Sequence, residues 1–352
     1  MIQVDQVLVT AAPGDAVTSM ALHTRDLLRE AMSSEVYALN VHPDLEDVRP
    51  LWRMPSVVAG DRVLVYRSSI GDPEVTRILG RTHDPMVLVY HNITPGRFFS
   101  RWDPRLQQLL DWGRYELVLL RPKVVHAIAD SEFNASELRE VGYERITVVP
   151  VGVDPTRLLD LPPPRGGLPP TEGTIVLAVS QLLPHKRIDL LLQTTYVLEH
   201  HLQLNATMVI VGAPRTPRYF QALRAYERHL ALSRVRFVGG VSDRILAELY
   251  RRAGVFVTVS EHEGFGVPPL EAMAFGVPVL ARRCGALPET VADAGLLLDA
   301  DVRATGVAEG IVELLHDRHL VEAITTRGYA RASSFSKRAS DTQLLDVLAG
   351  VV

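Results

Sequence analysis

The chain has 352 residues, of which 47% are hydrophobic and 22% charged, with 37 Lys plus Arg against 41 Asp plus Glu and a formal net charge of −4. That length and balance predict two domains with sizeable cores and exclude a disordered chain. The acidic balance also excludes broad electrostatic binding to nucleic acid, which needs a basic surface. Cys284 is the single cysteine, so no intramolecular disulfide forms, which fits a reducing compartment. The N-terminal stretch MIQVDQVLVTAAPGD lacks a charged segment followed by an apolar run, and no apolar stretch reaches the ~18–20 residues of a membrane span. A cytoplasmic protein is expected, with peripheral membrane contact left open.

In chain order, short Val-, Ile- and Leu-rich runs alternate with amphipathic stretches. The first half carries runs at Val4–Thr10, Val36–Val41, Arg62–Tyr66, Met86–Tyr90, Val124–Ala129 and Ile146–Val149. Such runs suit parallel strands buried on both faces. Helices are expected between them, for example at Ala16–Met32 and at Glu132–Val141, the latter capped by Ser131. The stretch Asp160–Thr174, DLPPPRGGLPPTEGT, holds five prolines and three glycines in 15 residues and suits neither a helix nor a central strand. It reads as an interdomain linker over 161–174, in preference to a surface loop within one domain. The second half repeats the theme, with strands expected at Ile175–Val179, Ala206–Val211, Val235–Val238, Val255–Val259, Val277–Ala281 and Gly295–Leu298. Helices are expected at Ile188–His200, Pro217–Ala231, Asp243–Arg252, Pro269–Phe275 and Ala304–His316. This alternation predicts an α/β protein with a doubly wound parallel sheet in each domain, 1–160 and 175–335.

Ligands of such sheets lie at the carboxyl ends of strands, and the densest motif falls there: Ser260–Leu280, SEHEGFGVPPLEAMAFGVPVL. Two glycines, Gly264 and Gly266, let a ligand approach the backbone, and Pro268 and Pro269 suit a helix start. The helix N-terminus offers N–H groups and a positive dipole end, so a diphosphate is its natural guest. Glu263 on the loop and Glu271 in the first turn are poor phosphate ligands but good acceptors for vicinal sugar hydroxyls. One suits the transferred sugar and the other a ribose. Read separately, Glu271 complements the helix dipole and Glu263 is a solvated acid. With GFG and Pro-Pro between them, the ligand reading is preferred. A second loop, Val179–Leu190, VSQLLPHKRIDL, places Lys186 and Arg187 after a strand. A third, RFVGGV, ends a strand at Gly239–Val241, with Ser242 or Asp243 as cap of the next helix.

These motifs resemble the retaining glycosyltransferases of the GT-B fold, in particular glycosyltransferase family 4. The resemblance spans nearly the whole chain and is strongest over Val235–Asp299. It implies two Rossmann-like domains with an interdomain cleft, and a nucleoside-diphosphate sugar held mainly by the C-terminal one. By resemblance, Glu263 lies beside the transferred sugar and Glu271 binds the ribose. Backbone groups of Gly264, Phe265, Gly266 and Val267 line sugar and phosphates, and Gly239 and Val241 meet the nucleobase. Lys186 matches the lysine that neutralises the diphosphate. The neighbouring arginine position holds Gln181, with Arg187 as the candidate replacement. In the N-terminal half, Gly14 of AAPGD matches a phosphate-covering loop, and His91 of VLVYHNITPGRFF lies near the transferred sugar. The catalytic set implied is Glu263, His91 and Lys186, with front-face transfer in which the leaving phosphate takes the acceptor's proton. The end of the chain, 336–352, is expected to cross back onto the N-terminal domain.

The implied activity moves a hexose-type sugar to an acceptor hydroxyl that is glycan, lipid-linked or small-molecule. No metal-ligand spacing is present, so neither a metal nor a resident cofactor is expected. Another GT-B enzyme, an epimerase or a phosphorylase, fits EGFG and EAMAFGVPV less well. The reading from a different class is a non-catalytic GT-B homologue that binds a nucleotide or a partner, for which Gln181 speaks. Arg97–Arg105, RFFSRWDPR, reads as a half-buried helix start in preference to an acceptor or membrane surface. The NAS sequence at Asn134 is discounted as a glycosylation site in a chain without a signal peptide.

Overall fold

The computed structural model describes residues 3–56 and 61–351. The chain divides into two compact units, one of Met1–Val151 with Arg338–Val352, the other of Gly152–Lys337.

In the N-terminal unit the strands are β1 (Gln3–Ala11), β2 (Val36–Val41), β3 (Arg49–Pro50), β4 (Arg62–Ser68), β5 (Met86–Tyr90), β6 (Val124–Ala129) and β7 (Ile146–Val148). Among the described residues they form one sheet in the order β3-β2-β1-β4-β5-β6-β7, every pairing parallel. Its helices are α1 (Ala16–Leu28), α2 (Pro73–Arg81), α3 (Pro104–Leu120) and α4 (Glu132–Val141). All four begin at a residue whose oxygen accepts from the first turn: Asp15 from Thr18 N, Asp72 from Glu74 N, Asp103 from Leu106 N and Ser131 from Asn134 N. α1 stops four residues before the expected Met32. α2 and α3 open on the Asp-Pro pairs Asp72-Pro73 and Asp103-Pro104, a start signal legible in the sequence. The RFFSRWDPR stretch becomes a 3₁₀ turn over Gly96–Phe99 and the start of α3, with Phe99 buried and Arg97, Arg101 and Arg105 exposed. Asn134 is fully buried and donates to Tyr90 O, so its amide is inaccessible to a glycan.

The C-terminal unit opens with α5 (Thr156–Leu159), followed by strands β8 (Thr174–Val179), β9 (Ala206–Val211), β10 (Val235–Gly239), β11 (Ala253–Thr258), β12 (Val279–Arg282) and β13 (Leu296–Leu298). They form the sheet β10-β9-β8-β11-β12-β13, again parallel throughout. Its helices are α6 (Ile188–Tyr196), α7 (Pro217–His229), α8 (Asp243–Arg252), α9 (Val267–Ala274), α10 (Leu287–Val291), α11 (Ala304–His316) and α12 (Arg318–Ser334). β12 begins two residues later than the apolar run because Pro278 has no N–H for the ladder; its carbonyl still accepts from Phe256 N. The last turn of the helix expected over Ile188–His200 is a π-helix, Val197–His201.

The proline-rich stretch lies along the C-terminal unit. Arg251 of α8 donates to the carbonyls of Leu159 (2.9 Å) and Leu161 (2.7 Å), and Arg236 donates to Pro170 O (3.0 Å). The final helix, α13 (Lys337–Ala349), belongs to the N-terminal unit. Its Leu348 is buried with Val4, Leu28, Val63, Val65 and Val87, and Asp341 meets His23 at 2.9 Å.

One buried acid locks α2 and α3 to β4. Glu116 of α3 is fully buried and bonded to the Tyr66 and Thr76 hydroxyls. Thr76 also donates to Asp72 O and accepts from the Trp112 indole N–H at 2.9 Å. A hydroxyl has one proton, so Thr76 shares it between Asp72 O and Glu116 Oε2. Burial pushes the Glu116 carboxyl up to about 7, against the bonds from Thr76 and Tyr66. A raised folded value stabilises below the unfolded value and is lost as pH rises through the folded one, here between about 4.5 and 7. Wild type should therefore lose on the order of 3 kcal/mol of stability from this group between pH 4.5 and 8. Glu116→Gln keeps the shape and should flatten that loss. Urea unfolding of both proteins at pH 5 and pH 8 checks it; parallel pH dependences would contradict the assignment.

Candidate active site

In the C-terminal sheet the strand order reverses between β8 and β11. Loops leaving the carboxyl ends of such a pair diverge and open a crevice. The loop after β8 carries Gln181, Lys186 and Arg187; the loop after β11 carries Glu261, Glu263 and Gly264–Gly266. They are bonded to each other directly: Glu261 N donates to His185 O at 2.7 Å. Lys186 Nζ donates to Glu263 Oε2 at 2.6 Å, with both side chains mostly buried. The two strongest sequence candidates are thus brought together as an ion pair.

Arg187 takes a different course. It has a left-handed backbone, φ 52°, and its guanidinium is held by Asp189 (3.0 Å) and by Glu261. Burial by itself would lower its pKa, but the bonds and charge of these carboxylates outweigh it and raise it. Glu261 is also held by Arg282 at 3.2 Å. The charge of Arg187 is therefore already matched, and Gln181 on the same loop is exposed and uncharged. Lys186 is the cation of this loop that faces the Glu263 carboxylate.

The helix after the second loop begins at Val267, two residues before the expected Pro269. Gly266 caps it at φ 104°, a left-handed turn that an L side chain rarely adopts. Pro268 and Pro269 then fall inside the first turn and supply no N–H. The first-turn N–H groups that the helix itself does not use are those of Gly266 and Val267. The loop is pinned from α10, where Thr290 Oγ1 donates to Phe265 O at 2.6 Å and Ala286 N donates to Glu263 O at 2.9 Å. A Cβ on Gly285 would lie 2.3 Å from Glu263 O, so only glycine allows this approach.

Glu271 is buried in α9. Tyr250 of α8 donates to its Oε2 at 2.9 Å, and Arg157 Nη2 lies 3.9 Å from its Oε1. Burial raises the Glu271 pKa, against the Tyr250 bond and the Arg157 charge. Arg157 also pairs with Asp243 at 2.6 Å, at the start of α8. Ser242 holds the cap position of α8 without a capping bond from its side chain, so the expected cap by Ser242 or Asp243 is corrected. Asp243 is instead engaged by Arg157. Gly239, at φ 73°, ends β10 and Val241 lies on the loop between it and α8, with Gly239 O accepting from Gly212 N at 2.8 Å. Tyr250, Arg157, Glu261 and Arg282 carried no local signal; each matters only through a partner distant in sequence.

In the N-terminal unit, Gly14 (φ 71°) sits on the exposed turn between β1 and α1. His91 follows β5, and its side chain is 4% exposed. Nδ1 lies 2.8 Å from Asp130 Oδ2 and Nε2 lies 3.1 Å from Arg67 Nη1. Among the described residues no group of three or more His, Cys, Asp or Glu side chains is arranged to hold a metal ion, and no helix is long and apolar enough to cross a membrane.

Two doubly wound parallel sheets, one after the other in the chain, with the acids and the lysine at the switch point of the second, define a GT-B protein. The fold matches sucrose-phosphate synthase from Thermosynechococcus elongatus, with a TM-score of 0.77 over 100% of this chain and 99% of that one at 17% identity. It also matches HepE from Anabaena in complex with UDP-glucose, with a TM-score of 0.75 over 99% of each chain at 18% identity. Residues 164–331 match the model of the glycosyl transferases group 1, and this segment belongs to that family. The O-antigen chain mannosyltransferase B of Escherichia coli is 36% identical over 171 residues, 48% of this chain and 44% of that protein. The chain spans about half the length, or less, of the curated relatives first matched.

Proposed function

We propose that the protein is a retaining, metal-independent hexosyltransferase using a nucleoside-diphosphate sugar. The observation that carries this reading is the Lys186–Glu263 ion pair beside the α9 N-terminus, with Glu271 buried in the same helix. The two acids divide the donor. Glu263 accepts from hydroxyls of the transferred sugar, and Glu271 from those of the ribose. Lys186 and the N–H groups of Gly266 and Val267 stabilise charge on the diphosphate as the bond from its oxygen to the anomeric carbon breaks. The acceptor oxygen forms the new bond on the same face, and its proton passes to the leaving phosphate. Gly239 and Val241 contribute backbone contacts to the base. From the N-terminal unit, Gly14 serves the phosphates and His91 the sugar. The acceptor is a glycan, lipid-linked or small-molecule hydroxyl.

Calorimetry with UDP, GDP, dTDP and ADP, followed by turnover of the matching sugar nucleotides, tests this reading. Turnover should survive thorough chelation, because Lys186 and the helix N-terminus supply the positive charge. Activity lost to chelator and restored by Mg²⁺ would overturn the metal-independent mechanism. The uncharged Gln181 favours a second reading, a homologue that binds a nucleotide without catalysis. In that case wild type turns over no donor and Gln181→Arg gains activity. In an active enzyme Gln181→Arg is neutral or harmful.

A further inference from the structure

The carboxyl ends of β4, β5 and β6 bring together Arg67, His91 and Asp130, three residues far apart in sequence. Arg67 is buried in the N-terminal unit. Its guanidinium donates to the neutral acceptors Gln6 Oε1 (2.7 Å) and Thr24 Oγ1 (2.6 Å), and its Nη1 lies 3.1 Å from His91 Nε2. Burial lowers its pKa to about 10, and the charge that opposes the shift is Asp130. Asp130 lies across the imidazole, on Nδ1. Cation, ring and anion therefore stand in line. A guanidinium has only donors, so the ring nitrogen facing it must accept, and a carboxylate has only acceptors, so the nitrogen facing it must donate.

We propose that Asp130 and Arg67 are positioning residues that hold His91 with a single proton, on Nδ1, and with its Nε2 lone pair committed to Arg67. The inference deepens the reading of His91 as a sugar-site residue and rests on it. His91 then serves the site as a fixed ring. No proton passes through Nε2 while Arg67 donates to it, in keeping with transfer in which the leaving phosphate takes the acceptor's proton. Asp130 does more than orient the ring: its negative charge also faces the buried arginine across the ring.

The tautomer is read by ¹⁵N-edited NMR of ¹⁵N-histidine-labelled protein at pH 7.5, with His91→Gln used to assign the signal. A protonated Nδ1 and a bare Nε2 are expected; a protonated Nε2, alone or in an imidazolium, would overturn the proposal. Kinetics with UDP-glucose and GDP-mannose test the coupling. Asp130→Asn should lower kcat roughly ten- to a hundredfold with little change in KM. In the His91→Ala background the same substitution should cost little, because its effect passes through the ring. An equal loss in both backgrounds would sink the positioning role. Arg67→Lys, which keeps the charge but not the fork, is the second variant, with melting temperatures confirming that each protein is folded. A wild type that turns over neither donor counts against the proposed function; the tautomer still decides the arrangement of Arg67, His91 and Asp130.

Discussion

Lys186→Ala should lower donor turnover about a hundred- to a thousandfold, the range seen when one preorganised charge or donor is removed from a developing anion. The usual neighbour of this lysine is replaced by the uncharged Gln181, and Arg187 is held by Asp189 and Glu261. Few cationic groups are left for the diphosphate, so each counts heavily. The substitution also removes the partner of Glu263, whose side chain is only 20% exposed. Without that contact the carboxylate loses the partner that orients it towards the sugar hydroxyls. Lys186→Arg should recover part of the loss. Glu263→Ala should act on the same step, lowering kcat more than KM because the sugar loses its orientation. The double variant should be little worse than the worse single one, since the two groups act as a pair. Steady-state kinetics of the four proteins checks this. Wild-type kinetics in Lys186→Ala would remove the loop from the mechanism.

Glu271→Ala should weaken nucleoside-diphosphate binding by about 1–3 kcal/mol, the cost of losing a hydrogen bond to a charged group. The apo protein should not pay for it in the same way. Burial raises the Glu271 pKa in the folded state. Stability linked to this group is fully present below the unfolded value and is lost as pH rises through the raised folded one. Above that raised folded value the ionised carboxylate is therefore a burden on the fold. Glu271→Gln, which still accepts from Tyr250, should melt at the wild-type temperature or above at pH 8 while binding more weakly. Calorimetry and thermal melts on the same samples read both effects. Undiminished affinity in both variants would dismiss Glu271 as a ligand. Melting that falls in step with affinity would mean a role in the fold.

By itself the sequence determined the fold class, because a parallel sheet buried on both faces demands apolar runs that survive averaging over a short window. β2, β5, β6 and β9 match their runs to the residue. It also located the loop and helix start proposed to hold a ligand, since Gly266 and the prolines after it act on their own backbone, within one turn. The start of α9 shifted by two residues because the left-handed Gly266 lets the helix begin at once. The states of the charged groups were decided only by tertiary structure. Nothing local in the Lys186–Arg187 pair distinguishes the cation facing Glu263 from the one facing Glu261 and Asp189. Nothing near His91 announces Arg67 or Asp130, and Glu116 reads as one more acid on a helix until Tyr66 and Thr76 close over it. Hydrophobic periodicity is a property of neighbours in the chain. The charge, proton position and partner of a buried polar group depend on which distant side chains share its low-dielectric surroundings, and only the packed fold brings those together.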